Sequence, residues 1–80
     1  MARQKWDVNI SGDHHRVEVR TNPWTASGEI LVDNQVVDAW GPTLLLRPRT
    51  FTVAGKEAII RWSGILSQKC ALFVSGKRVQ

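Results

Sequence analysis

Lys5-Trp6-Asp7-Val8-Asn9-Ile10, then Ser11-Gly12-Asp13, then His15-Arg16-Val17-Glu18-Val19-Arg20-Thr21: the fold is decided in this opening stretch. Trp6, Val8 and Ile10 alternate with Lys5, Asp7 and Asn9. A period of two places the three apolar side chains on one face of a strand. Gly12 lies in the short polar break, where a residue free to take positive φ allows a tight turn. Val17 and Val19 then face inward while Arg16, Glu18 and Arg20 face water, so the stretch predicts an antiparallel hairpin with one dry face.

The same grammar continues along the chain. Asn22-Pro23-Trp24-Thr25-Ala26-Ser27-Gly28 reads as a loop, because Pro23 cannot donate to a ladder. Glu29-Ile30-Leu31-Val32, the turn Asp33-Asn34-Gln35, and Val36-Val37-Asp38-Ala39-Trp40 predict a second hairpin, ended by Gly41-Pro42. Thr43-Leu44-Leu45-Leu46-Arg47 is apolar on both faces and predicts a doubly buried or linking strand, with burial inside the monomer favoured over pairing with a second chain. Thr50-Phe51-Thr52-Val53, the turn Ala54-Gly55-Lys56, and Glu57-Ala58-Ile59-Ile60-Arg61-Trp62 follow, with Phe51, Val53, Ala58, Ile60 and Trp62 facing inward. After a connection at Ser63-Gly64-Ile65-Leu66-Ser67-Gln68, Lys69-Cys70-Ala71-Leu72-Phe73-Val74 is the last strong strand, and Ser75-Gly76-Lys77-Arg78-Val79 a turn with a short tail.

About eight short strands at this spacing predict an all-β, two-layer antiparallel β-sandwich, since each sheet must bury one face. A small closed barrel is the alternative. Eighty residues suit one domain, residues 1–80, with residues 1–4 expected as a flexible N-terminus. No run approaches the ~18 apolar residues of a membrane helix, and Met1-Ala2-Arg3-Gln4-Lys5 leads into no apolar signal region. Cys70 is the one cysteine, which excludes an intrachain disulfide and suits a cytoplasmic setting.

The order of turns and strands resembles a repeat of the Fas apoptotic inhibitory molecule (FAIM) family. Trp6-Asp7-Val8, Ser11-Gly12-Asp13 and His15-Arg16-Val17-Glu18-Val19 match its opening. Ser27-Gly28 leading into Ile30-Leu31-Val32-Asp33 and Val36 resembles its next hairpin, and Trp40 sits near another family tryptophan. Thr50-Phe51-Thr52-Val53-Ala54-Gly55, Ala58-Ile59-Ile60 and Leu72-Phe73-Val74-Ser75-Gly76-Lys77 resemble its later strands. Asn34, where Gly is usual, and the Trp24 loop depart from the pattern. The resemblance spans residues 6–79 and implies an antiparallel β-sandwich without catalytic machinery. Animal members carry two such repeats, so a single repeat implies a fold more directly than a role.

Chemistry-bearing patterns are sparse. There is no Gly-x-Ser-x-Gly elbow or ordered triad, so no catalytic residue is assigned. His14 and His15 are neighbours on a strand and point to opposite faces, and a zinc site needs three or four convergent ligands, so no metal or cofactor is assigned. Every glycine stands alone at a turn, which excludes a phosphate loop.

The net charge is +4. Arg16, Arg20, Arg47 and Arg49 with Trp24 are the candidate partner-binding residues, for a non-enzymatic module with a protein-interaction or structural role, its partner another protein or a second copy of itself. The alternatives are weak single-stranded nucleic-acid binding through that basic and aromatic set, or a small ligand on a Trp24–Trp40 platform. Trp6 and Trp62 are in phase with the core and Trp40 leans the same way; Trp24, in its Pro-containing loop, either stands exposed as an anchor for a partner or folds over the open end of the sandwich as a lid on the core.

Overall fold

A computed structural model describes residues 2–63 and 69–80 of the chain. Eight strands run in the order β1 Ala2–Ile10, β2 Asp13–Thr21, β3 Gly28–Val32, β4 Gln35–Trp40, β5 Arg49–Val53, β6 Lys56–Ser63, β7 Lys69–Val74 and β8 Lys77–Arg78. They form two four-stranded antiparallel sheets, β1-β2-β3-β4 and β5-β6-β7-β8, which pack as a sandwich. The first half of the chain makes one sheet and the second half the other. Among the described residues there is no helix, and hence none long and apolar enough to cross a membrane.

Four of the hairpins close through two residues that both have positive φ. They are Ser11-Gly12 (53° and 85°), Asp33-Asn34 (51° and 68°), Ala54-Gly55 (48° and 78°) and Ser75-Gly76 (51° and 81°). Turns of this hand match the right-handed twist of the flanking strands. Asn34 takes the place that Gly holds in the other three, as the non-glycine residue that best tolerates a left-handed backbone.

The two inner faces meet in one core. Trp6, Val8, Ile10, Val17, Val19 and Ile30 of the first sheet pack with Val53, Ala58, Ile60, Cys70 and Leu72 of the second. Each inward position expected from the alternation lies in or against this cluster, including half-buried Phe51, Trp40 and Trp62. Cys70 is buried, its Sγ lies 3.3 Å from Gln4 Oε1, and burial pushes its pKa up to about 11. At neutral pH the thiol therefore stays protonated and unreactive.

Three expectations are corrected. The first strand begins at Ala2, not Lys5: Ala2, Arg3 and Gln4 pair with Thr21, Arg20 and Val19, so residues 2–4 belong to the ladder rather than to a flexible tail. Residues 43–47 form no strand, and Leu44 and Leu45 are exposed instead of doubly buried. The eighth strand comes from the tail, where Lys77 and Arg78 pair with Val74 and Phe73. The expected connection at residues 63–68 lies outside the described residues after Ser63.

A bulge in the β3–β4 pair shapes the end of the sandwich where β4 finishes. Ile30 faces Asp38 but Leu31 faces Val36, so Val37 is an extra residue. Without it, Val37 would oppose Ile30 and point inward. The insertion flips the phase, as a β-bulge does. Asp38 and Trp40 thereby turn to the inner side, while Val36 and Val37 are exposed.

Candidate functional site

Antiparallel order brings the β2–β3 loop, residues 22–27, and the β4–β5 loop, residues 41–48, to the same end of the molecule. The first loop is braced from within. Asn22 N donates to Ser27 O (2.7 Å) and Ala26 N to Asn22 O (2.8 Å). The Asn22 side chain accepts from Trp24 N at 2.8 Å, and Thr25 and Ser27 share a hydroxyl hydrogen bond at 2.7 Å. The second loop is tied to it by Thr43 N donating to Thr25 O at 2.9 Å. The Thr43 hydroxyl donates to Leu45 O at 3.0 Å and holds the following turn.

The loops rest on a stack of side chains. Trp40 Nε1 donates to Ala26 O at 2.7 Å. Trp40 and Trp62 meet edge to face, with ring centroids 5.4 Å apart and planes at 78°. Arg49 lies over the Trp40 ring, 4.8 Å from its centroid, and grips Asp38 with both ends of its fork, at 2.6 and 3.2 Å. A two-pronged, partly buried pair of this kind fixes geometry as well as adding energy. Asp38 is thus held below its ordinary pKa by the Arg49 hydrogen bonds, against the opposing effect of burial.

This frame presents an apolar surface to solvent. Trp24 is 93% exposed, Leu45 65%, and Leu44 is fully exposed. Trp24, Thr25, Pro42, Thr43 and Leu44 border a shallow, open depression of about 410 Å³. Pro42 and Thr43 also wall a neighbouring groove of about 300 Å³, lined by Trp40, Leu45, Leu46, Arg47 and Arg49. Arg47 is exposed and makes no ion pair among the described residues. Well-braced backbone carrying bare apolar side chains is the form of a preorganised docking surface.

The five residues selected from sequence do not share one face. Trp24, Arg47 and Arg49 meet at the loop end, with Arg49 committed to Asp38. Arg16 and Arg20 lie on the outer face of β2. Arg16 is 3.5 Å from Asp7; Arg20 hydrogen-bonds Glu18 and reaches Glu29 at 3.4 Å. Arg3 and Lys5 also point at Glu18, at 3.7 and 3.8 Å, so their side chains bury this carboxylate on a solvent-facing sheet surface. The expected Trp24–Trp40 platform is likewise divided, because Trp40 is already covered by Arg49 and Trp62. His15 pairs with Asp33 at 2.8 Å on the inner side of β2, and His14 is exposed at the position opposite Asn9. Leu44 and Leu45 were missed as surface residues, although the flanking Pro42 and Pro48 were a usable signal that no ladder runs there.

The carboxylate pairs predict acid sensitivity. Glu18 lies below its ordinary 4.5, chiefly through the Arg20 hydrogen bond, and Asp38 below its ordinary 3.8 through Arg49. A carboxyl with a depressed folded pKa adds stability above its unfolded pKa and loses it as pH falls through the folded one. Melting temperatures are therefore expected to hold steady from pH 7 to about 5 and to fall below about 4.5. Asp38→Asn should flatten part of that fall. A melting temperature unchanged down to pH 3 would contradict the assignment.

No family model matches the chain, and no curated protein matches it.

Proposed function

We propose that this chain is a non-enzymatic β-sandwich, resembling one FAIM repeat, that docks an apolar, acid-bearing segment of another protein on its loop end. One observation carries the reading: Trp24 and Leu44 stand bare at the border of one open depression, on two loops tied to each other by the Thr43–Thr25 backbone hydrogen bond. Exposed aromatic anchors on a rigid frame are the usual centre of a binding surface. Arg47, exposed at the rim beside Leu45 and Leu46, supplies the cation that a carboxylate in the partner would meet. The lone buried thiol supports a cytoplasmic setting for the same role.

Selection of displayed twelve-residue peptides on the intact chain tests the reading. Enrichment of apolar peptides carrying Asp or Glu is expected. Trp24→Ala and Leu44→Ala should each weaken those peptides by about thirty-fold, the scale of a hot-spot side chain. Arg47→Glu should weaken them less and mainly through the association rate. No enrichment, or peptides that bind the Trp24→Ala protein equally well, would overturn the proposal. So would a concentration-dependent dimer abolished by Trp24→Ala, since the occupant would then be a second copy.

A further inference from the structure

We propose that the outer face of the second sheet binds single-stranded nucleic acid, with Phe73 as a base-stacking surface and Arg61, Lys69 and Arg78 as phosphate contacts. This goes beyond the loop-end reading and rests on other residues. Charge is divided between the sheets. Residues 1–40 carry four cations against six carboxylates, a net charge of −2, whereas residues 41–80 carry seven cations against Glu57 alone, a net charge of +6. All four cations of the first sheet lie within ion-pair distance of a carboxylate. In the second sheet Arg49 is taken by Asp38. Arg61, Lys69 and Arg78 are exposed and pair with no carboxylate among the described residues.

The register sets these cations around an aromatic strip. Thr50 pairs with Ile59, Ile59 with Phe73, and Phe73 with Arg78, which makes one row across all four strands on the outward side. In the adjoining outward row Arg61 opposes Ala71, and in the row beyond it Ser63 opposes Lys69. Neighbouring strands lie about 4.8 Å apart, and alternate residues on one strand about 7 Å, so Arg78 and Arg61 sit within one nucleotide's reach of the Phe73 ring, and Lys69, four residues along β7 at about 14 Å, meets the phosphate of a further nucleotide. Ile59 and Phe73 are half-buried on the floor of an open groove of about 380 Å³ that Arg61, Ser75, Gly76 and the exposed carboxylate of Glu57 also line, so phosphates are met on the Arg61 and Arg78 side of Phe73 and not on the Glu57 side. Flush apolar side chains do not protrude as membrane insertion requires, but a flat base fits against them while its phosphates reach the rim. Unpaired cations are the ones free to displace counterions, which is what drives such binding.

Anisotropy of a fluorescein-labelled twelve-nucleotide oligothymidylate tests the proposal on the full chain. Three phosphate contacts at ~0.7 each predict a salt slope near −2, or about a twenty-fold loss of affinity between about 50 and 200 mM salt. Arg61→Glu combined with Arg78→Glu should abolish most binding; both sites are exposed, so the fold survives, as circular dichroism will show. Phe73→Leu keeps an apolar side chain and should weaken binding about five-fold or more with the slope unchanged. Trp24→Ala should leave it intact, which separates this site from the loop end. No binding at low salt, binding indifferent to the Arg61/Arg78 reversal, or a Phe73→Leu protein that binds oligothymidylate as tightly as the parent would each overturn the proposal. So would binding to phosphatidylserine-rich vesicles in place of the oligonucleotide.

Discussion

Gly28→Ala should cost about 3 kcal/mol or more of folding stability, the upper range for forcing extra atoms into a packed site. A Cβ on Gly28 would lie 2.3 Å from the Arg20 backbone oxygen and 2.8 Å from Trp40 Cζ2. One obstacle is main chain in a central strand, and the other is a ring pinned by Ala26, Trp62 and Arg49. Neither can yield without moving a neighbour. Gly28 pairs with both Thr21 and Trp40, so the missing side chain lets the Trp40 ring lie over the strand. Urea unfolding is the measurement. At about 1 kcal/mol per molar for a small domain, the midpoint should fall by roughly 3 M with little change of slope. The same variant should lose the Trp40–Ala26 hydrogen bond and with it peptide docking at the loop end. A midpoint within about 0.5 M of the parent would show that the β3 entrance gives way freely.

Ile60→Ala is the second large effect, about 2–5 kcal/mol, because a fully buried side chain would leave a cavity between the sheets. For a domain of this size that corresponds to a fall in melting temperature of roughly 10–30 °C. Ile60→Val should cost only about 0.5–1.5 kcal/mol. Ile59→Ala, one residue away on the outer face, should cost clearly less than Ile60→Ala, since Ile59 is only half-buried. The pair tests the register directly. Equal losses at the two positions would mean that β6 does not present one dry and one wet face.

The parts of this molecule that could be read from sequence are those governed by near neighbours. Alternation in Trp6–Ile10 and Val17–Val19 placed the core face, because a strand sends successive side chains to opposite sides whatever its surroundings. The two-residue turns were visible because positive φ restricts which residues can stand there. Trp24 could be set apart from the strands because it sits beside Pro23, outside any alternation, but only the structure showed that it stands exposed and does not cap the sandwich. The Thr43–Arg47 stretch failed on the same grounds: three leucines in a row satisfy the pattern of a buried strand, but residues 41–48 have no neighbouring strand to pair with. Arg16 and Arg20 failed as partner residues because Glu18 and Glu29 consume them, and those pairings depend on which strands lie side by side.

The division is therefore physical. Local sterics and period-two hydrophobicity in the sequence determined the strands, their turns and the all-β, two-layer character of the chain. The tertiary structure alone decided which residues are free to act. The one-residue bulge at Val37 cannot be seen without its partner strand, yet it turns Asp38 and Trp40 inward and so builds the frame under Trp24 and Leu44. The −2 and +6 halves could be counted along the chain, but they gained meaning only when each half closed into its own sheet. Ion pairing neutralises a cation only through its spatial neighbours. The first sheet supplies those neighbours, and the outer face of the second leaves Arg61, Lys69 and Arg78 without them.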